Sequence, residues 1–547
     1  MKPFDASGNF HPVEVGGGLR RLAVRGAGVT VFAQGLTFAA QTVATIALAR
    51  LLMPSDFGVV AMVTTFSLVL LSFGQNGYSE AIIQREEMSH ALASNLFWIC
   101  TGVGTLLALV FAASGPLLAR FYGDSRVIVI ALWVSLSIFF SNLAVVHIAL
   151  LKRALRFSTT SKIDVAANVL SVVVSLVFGI YGLGYWALVA AVVVRPVIQL
   201  IGAWYVCRWM PSLPRRVPGT SSVVRFALHV YGRFSFNYTT RNTDNLLVGM
   251  RFGSASLGFY KKAYDLFLLP ANQLYIPVSD VVLSTLSRLE RGSAEYRRYF
   301  LNGLSVLAFV SMGAGALLTL TAKDLIRLLL GEKWSPAGHI FAFFGPGIGI
   351  MLVYFTSGLI HLSIGRADRW FRWVVLEFGV TVLLFCLALR WGPVGIASAW
   401  SASFWILFVP AFIYAGKPIH FGIAPILAVV WKYTVASLVA GLTSALIIRN
   451  ITSLVVAQGL LAAVARIACT SVLFVALYLV MVTVLHGGPE HLFRFARLIP
   501  EMLPSSRRRT NASGVEESPV EPAGTPAEMS PSAASSGCRD QQEVGKA

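Results

Sequence analysis

The sequence predicts an all-α polytopic membrane protein: about 14 transmembrane helices, arranged as two six-helix lobes in parallel pseudo-repeat plus two C-terminal helices around a central cavity. Three observations predict it. The 547 residues are 56% hydrophobic and only 13% charged, where a soluble domain carries about 45–50% and about 25%, and mean hydropathy is +0.71. Apolar runs long enough to span a bilayer recur from residue 29 to residue 486. Landmarks of the first half return, in order, in the second. This composition excludes an ordinary cytosolic enzyme, a disordered chain and a secreted disulfide scaffold.

The elements follow in chain order. A polar segment, 1–28, precedes the first apolar run, 29–52. That run is too long for a cleaved signal and lacks a small-residue cleavage site, so it reads as an uncleaved span. Runs at 58–83, 92–119, 127–151, 163–181 and 184–207 complete an N-lobe, 29–207. The loop 208–225 contains Met210-Pro211-Ser212-Leu213-Pro214-Arg215-Arg216-Val217-Pro218 and forms the seam. A C-lobe, 226–415, holds runs at 226–250, 255–286, 300–321, 337–364, 371–390 and 394–415; two further spans, 426–448 and 459–486, make up 426–486. The remainder, 487–547, becomes rich in Ser, Pro, Ala and Glu, too polar to bury a core, and reads as a largely disordered cytoplasmic tail.

Lys and Arg set the topology. They concentrate around Arg20, Lys152, Arg215, Arg291, Arg366 and Arg507, in alternate loops, while the opposite loops hold fewer. Basic loops stay cytoplasmic, which places both termini inside and the span count at an even number. Twelve spans satisfy the same parity. The net charge of +19 is accounted for by topology and contact with anionic lipid, so no nucleic-acid partner is expected.

The repeat is carried by short matches. Ala49-Arg50-Leu51 before Phe57-Gly58 corresponds to Met250-Arg251-Phe252 before Leu257-Gly258, and Glu80 and Asp280 lie equally far beyond their glycines. Tyr181-Gly182-Leu183-Gly184 corresponds to Trp391-Gly392-Pro393-Val394-Gly395. Transporters built from repeats bind substrate where the repeats meet.

Charged residues inside spans mark candidate sites, because each costs about 2.5–3.5 kcal/mol at the centre of a membrane helix. In span seven Arg233, Asn237, Arg241 and then Asp244 or Asn245 recur on one helical face. Facing lipid, its three charges would cost roughly 8–10 kcal/mol, so the face is read as lining a cavity; an Arg241–Asp244 pair that only locks helices is the alternative. Span eight carries Lys261, Lys262 and Asp265, then Pro270 and Pro277, which remove backbone donors and kink the helix. Lys261 either pairs with Asp265 one turn on or, with Lys262, snorkels to the headgroups. Span one offers Gln34 and Gln41, and span six Arg195 just before Pro196. Glu377 and Arg466 read as isolated. The coupling or gate candidates are Asp265, Glu377, Glu80, Asp280, Lys261 and Lys262, with proton or sodium coupling left open. His147, His229 and His361 are scattered and the cysteines lack metal-ligand spacing, so no catalytic residue, metal or cofactor is expected and the chain reads as a transporter, not an enzyme.

Ala49-Arg50-Leu51-Leu52-Met53-Pro54-Ser55-Asp56-Phe57-Gly58, Ala81-Ile82-Ile83-Gln84-Arg85, Leu118-Ala119-Arg120-Phe121-Tyr122, Arg241-Asn242-Thr243-Asp244-Asn245-Leu246-Leu247-Val248-Gly249, Leu257-Gly258-Phe259-Tyr260 and Leu328-Leu329-Leu330-Gly331-Glu332-Lys333-Trp334 form an ordered set. The set resembles the Wzx-type lipopolysaccharide and exopolysaccharide flippases of the multidrug/oligosaccharidyl-lipid/polysaccharide exporter superfamily. The resemblance runs from about residue 20 to 485. It implies alternating access and an undecaprenyl-pyrophosphate-linked oligosaccharide carried from the cytoplasmic to the periplasmic leaflet of a bacterial inner membrane. A polysaccharide polymerase and export machinery are the implied partners. Where relatives read Tyr-Ser-Arg-Ala-Tyr, this chain has Tyr260-Lys261-Lys262-Ala263-Tyr264, which changes the local charge. Three other readings stay open: a lipid II flippase, a cation-coupled drug antiporter, and a membrane glycan polymerase or assembly component.

Overall fold

The computed structural model describes residues 3–5, 7–10, 19–85, 87–215, 217–451 and 459–489; the tail beyond 489 lies outside them. The described residues form helices, π-turns and short 3-10 turns, with isolated bridges only near the N-terminus. The helices are α1 Leu19–Leu51, α2 Pro54–Leu71, α3 Ser79–Gln84, α4 His90–Ala113, α5 Gly115–Tyr122, α6 Arg126–Arg153, α7 Phe157–Ile180, α8 Trp186–Cys207, α9 Thr220–Pro270, α10 Ile276–Leu286, α11 Ala294–Leu330, α12 Ser335–Ser363, α13 Ala367–Ala388, α14 Gly392–Gly416, α15 Ala424–Asn450 and α16 Leu460–His486.

Local chemistry sets the boundaries. Pro54 opens α2, where its missing N–H costs nothing, and Asp56 accepts from the Met53 amide at 3.0 Å. Ser89 and Ser293 cap α4 and α11, accepting from the amides of Leu92 at 3.2 Å and Tyr296 at 3.1 Å. α1 starts at Leu19, well ahead of residue 29, so the first helix extends beyond its apolar stretch.

Among the described residues, eleven helical stretches are long and apolar enough to cross a membrane, by length and composition; one, Ala367–Ile419, contains both α13 and α14. The expected count of about 14 is thus not reproduced. α9 is excluded by its own charges, among them Arg225, Arg241, Asp244, Lys261, Lys262 and Asp265. It is also broken: Gly253 adopts φ 77, ψ −179, a conformation open to glycine. The break separates arms 220–252 and 254–270 at the place where Met53 separates α1 from α2.

The helix order of the first half returns in the second. One element of the repeat has no counterpart in the sequence reading. α2 runs into a π-turn, Gly74–Tyr78, before α3, and the second arm of α9 runs into a π-turn, Ala271–Tyr275, before α10. Pro270 ends the helix ahead of one turn, whereas no proline flanks the other. π-turns interrupt the regular ladder and recur at functional sites.

Large apolar side chains project outward, including Leu461 at 87%, Phe32 at 75% and Val472 at 72% exposure. Small polar residues such as Ser137, Asn142, Ser311 and Ser403 are buried instead. Lipid is the solvent that tolerates this arrangement. The seam 208–219 is no free linker. Ser212 and Arg215 donate backbone amides to Ser94 and Asn95 at 3.0 and 2.9 Å, and Trp98 donates to the Ser212 carbonyl at 2.8 Å. Arg466, read as isolated, pairs with Asp324 at 2.6 Å and ties α16 to α11; the partner lies 142 positions away in sequence.

Candidate functional site

The first half contains a cavity of about 400 Å³ lined by α1, the first π-turn, α3, α6, α7 and α8. It gathers Gln34 and Gln41 from α1, Arg195 and Gln199 from α8, Asp164 from α7 and Lys152 from α6. Three of these, Gln34, Gln41 and Arg195, are sequence candidates. Four glutamines, Gln34, Gln41, Gln75 and Gln199, lie on the wall. Gln41 donates to Asn168 Oδ1 at 2.8 Å, Gln75 to Ser141 Oγ at 3.0 Å and Gln199 to Asp164 Oδ1 at 2.9 Å. Lys152, Asp164, Gln75 and Gln199 were missed as site residues. Helical spacing on α6, α7 and α8 does not reveal that three different helices converge.

The second half is organised around Asp244. Its carboxylate is fully buried. Oδ2 accepts from the Tyr260 hydroxyl at 2.7 Å and from Trp400 Nε1 at 2.9 Å, and Oδ1 from the Asn245 amide at 2.8 Å. The carboxylate therefore joins both arms of α9 to α14. The Arg241–Asp244 pair, the alternative to a cavity-lining face, is not formed. Three neutral donors already occupy the carboxylate, and the Arg241 guanidinium turns to the Phe355 ring, 5.7 Å from its centroid. Arg241 is exposed, and Glu377 lies near it and near the Tyr354 hydroxyl. Glu377 is accordingly not isolated. Asn245, also buried, donates to Asn242 Oδ1 at 3.1 Å. Trp400 was missed; nothing on α14 marks it as the partner of an acid on α9.

Asp265 is held by both lysines, Lys261 at 2.7 Å and Lys262 at 3.9 Å. Lys262 also lies over the Phe57 ring of α2, 4.5 Å from its centroid. Glu80 is half-buried in α3, and its Oε2 has no protein partner. The side chains of Arg233, Asn237 and Asp280 lie outside the described residues; their backbones are helical.

Two motifs 280 residues apart interlock at the end where α1 finishes. Arg50 donates to the Leu328 carbonyl at 2.7 Å. Lys333 donates to the carbonyls of Arg50 and Leu52 at 2.9 and 2.5 Å, and Trp334 Nε1 to that of Ala49 at 2.7 Å. Beside this clasp α2 and the second arm of α9 touch through glycine. A Cβ on Gly58 would lie 1.6 Å from the Ser254 carbonyl oxygen, and one on Gly258 1.9 Å from that of Pro54. Arg126, paired with Asp124 at 2.7 Å, adds a bond to Ser254 Oγ at 3.2 Å. The guanidinium holds the Asp124 carboxyl below the usual carboxylate range. This end of the molecule is shut. Among the described residues no group of three or more His, Cys, Asp or Glu is placed to hold a metal.

The family described as polysaccharide biosynthesis protein matches residues 47–339. Among curated proteins the chain is 26% identical over 331 residues to the teichuronic acid biosynthesis protein TuaB of Bacillus subtilis (strain 168), covering 58% of this chain and 66% of TuaB. It is 24% identical over 314 residues to the lipopolysaccharide biosynthesis protein WzxC of Escherichia coli (strain K12), covering 56% and 62%. The chain thus spans just under two thirds of each. Among solved structures it is similar to the lipid II flippase MurJ in an inward closed conformation, at a TM-score of 0.66 and 14% identity over 86% of this chain and 100% of that one. That likeness establishes the fold alone. With its family matched over more than half its length, the chain is a multi-pass membrane protein that belongs to the polysaccharide biosynthesis protein family.

Proposed function

We propose that the chain flips undecaprenyl-pyrophosphate-linked oligosaccharide units from the cytoplasmic to the periplasmic leaflet of the bacterial inner membrane, for surface polysaccharide biosynthesis. It moves its substrate without breaking a bond. One observation carries the reading: polar sites in both halves coexist with a close contact between the halves, built from Arg50, Lys333, Trp334 and the Gly58 and Gly258 contacts. That is the arrangement alternating access requires.

The cavity residues divide the work. Arg241, with Arg233 one face-repeat earlier, attracts the pyrophosphate, for which a guanidinium fork suits two oxygens at once. The amides of Gln34, Gln41 and Gln199 take sugar hydroxyls as donors and acceptors. Asn237 and Asn245 extend the same face, and Arg195 supplies a cation in the first half, with Lys152 on the same wall. Asp244 sets the geometry of α9 rather than holding Arg241. The candidate coupling carboxylate is Glu377, within the field of Arg241; Asp265 is already neutralised by two lysines. Glu80 and Asp280, each just beyond a π-turn, belong to a gate at the opposite end. Both termini lie in the cytoplasm on the basic-loop rule, and the polymerase and export machinery receive the flipped unit.

The test is deletion of the gene with leaflet-resolved analysis of lipid-linked glycans, complemented by wild type and by Arg241→Ala. Repeat units accumulate on the cytoplasmic side in the deletion, and the variant inserts but fails to restore export. Units that reach the outer leaflet unpolymerised would point instead to a polymerase or assembly role. Accumulation of lipid II would point to that substrate. Normal glycan with altered drug efflux would point to an antiporter.

A further inference from the structure

We propose that the second half carries a pocket for a phosphate group, separate from the transport cavity. Three connections at one end of the helices build it: those between α10 and α11, between α12 and α13, and between α14 and α15. They enclose about 390 Å³ lined by Arg291, Arg297, Arg366 and His420 together with apolar and glycine positions, with no carboxylate on the wall.

The pocket is a formed site rather than a scatter of basic side chains. Arg297 donates from Nη2 to the carbonyls of Ile419 and His420 at 3.4 and 3.2 Å, which fixes the third connection, and its buried Nε has no protein partner. His420 closes the Lys417–Ile419 turn in the left-handed region, at φ 51. Arg366 spends Nε and Nη2 on Asp368 at 3.1 and 3.3 Å, leaving Nη1 free of that pair. Arg291 is exposed beside it.

The first half supplies the contrast. Arg153-Ala154-Leu155-Arg156 and Arg366-Ala367-Asp368-Arg369 occupy matching places, at the end of α6 and just after α12. Arg153 is consumed internally: it donates to the carbonyls of Ile82 and Arg85 and lies 5.0 Å from the Phe10 ring centroid. Its counterpart Arg366 faces an open cavity. Three guanidinium groups against the single carboxylate of Asp368 leave net positive charge, and guanidinium groups recognise phosphate oxygens; basic pockets at the ends of membrane helices take lipid headgroups. The phosphate comes either from an anionic phospholipid or from a soluble phosphate.

The experiment uses the purified full chain in a neutral detergent. Thermal melting and native mass spectrometry are recorded with dioleoylphosphatidylglycerol, with dioleoylphosphatidylcholine and with inorganic phosphate. The variants are Arg291→Gln/Arg366→Gln, each single substitution, and the control Arg298→Gln, an exposed arginine on α11 that does not line the pocket. Phosphatidylglycerol, and not phosphatidylcholine, is expected to raise the wild-type melting point and give retained lipid adducts. The response falls at least twofold in the double variant and is unchanged in the control. The same pattern with inorganic phosphate in place of the lipid keeps the site and assigns a soluble ligand. Should the double variant not fold, the single ones give the same reading. Equal responses of wild type and pocket variants, or no response to either phosphate probe, would overturn the proposal.

Discussion

Gly58 and Gly258 occupy mirrored positions across the contact between α2 and the second arm of α9, each facing the other helix's backbone so closely that neither has room for a Cβ. The two residues mark the repeat in the sequence, and in the fold they become the surface on which the two halves close. Each contact is matched by its partner: Gly58 with Ser254, Gly258 with Pro54.

A side chain at either glycine prevents this closure. Gly58→Val is expected to insert normally, to abolish export and to widen the distance between labels placed at the ends of α1 and α11, read by double electron–electron resonance. Export near the wild-type level would show that the shut state is dispensable.

The clasp makes a second prediction. Trp334→Phe keeps the ring in place against Phe57 but removes the donor to the Ala49 carbonyl. A buried acceptor left unpaired costs about 1–3 kcal/mol. Cysteine accessibility at the end of α1 should rise while the total amount of protein stays constant.

Asp244 has a structural role that can be separated from transport. Trp400→Phe and Tyr260→Phe each remove one donor from a buried carboxylate, at a cost of about 1–3 kcal/mol. The melting temperature in detergent should fall by a few degrees for each, and the double variant should lose more than the sum, because the last donor is then the Asn245 amide alone. A Trp400→Phe protein as stable as wild type would exclude this carboxylate as the tie between α9 and α14.

Arg466 and Asp324 offer a test of the added helices. Removing either partner strands a partly buried charge, whereas replacing both leaves none. Arg466→Leu should loosen α16, seen as faster proteolysis between α15 and α16, and Arg466→Leu/Asp324→Leu should recover much of the loss.

The Asp124–Arg126 pair carries the pH dependence. The guanidinium lowers the folded-state value of this carboxyl, so its contribution is fully present above the ordinary carboxylate value of about 3.9 and is lost as pH falls through the lowered one. Asp124→Asn should therefore cost stability at neutral pH and nothing at the acid limit. A difference that persists unchanged into acid would reject the ion pair as its source.

Much of the site was legible and much was not. Gln34, Gln41 and Arg195 were visible because an embedded polar residue is costly wherever it sits, and the structure places all three on one cavity. Arg241 and Asp244 were visible for the same reason, and a pair between them was the alternative to a cavity face. Helical spacing put them one turn apart, yet the carboxylate turns to Tyr260 and Trp400. Those partners come from beyond a glycine break and from another helix, which spacing along one helix does not encode. Glu377 and Arg466 looked isolated because Tyr354 and Asp324 are remote in sequence.

The sequence by itself determined the class of molecule, the approximate position of the helices and the landmarks of a repeat. These depend on local quantities: hydropathy, proline and serine at helix starts, and Gly58 and Gly258 in register. Tertiary structure decided which ends meet. The clasp of Arg50 with Leu328, the pairing of Arg466 with Asp324 and the donors around Asp244 are long-range contacts. Each buried polar group had to find a partner where no water competes, and only the packing of helices fixes which one it finds.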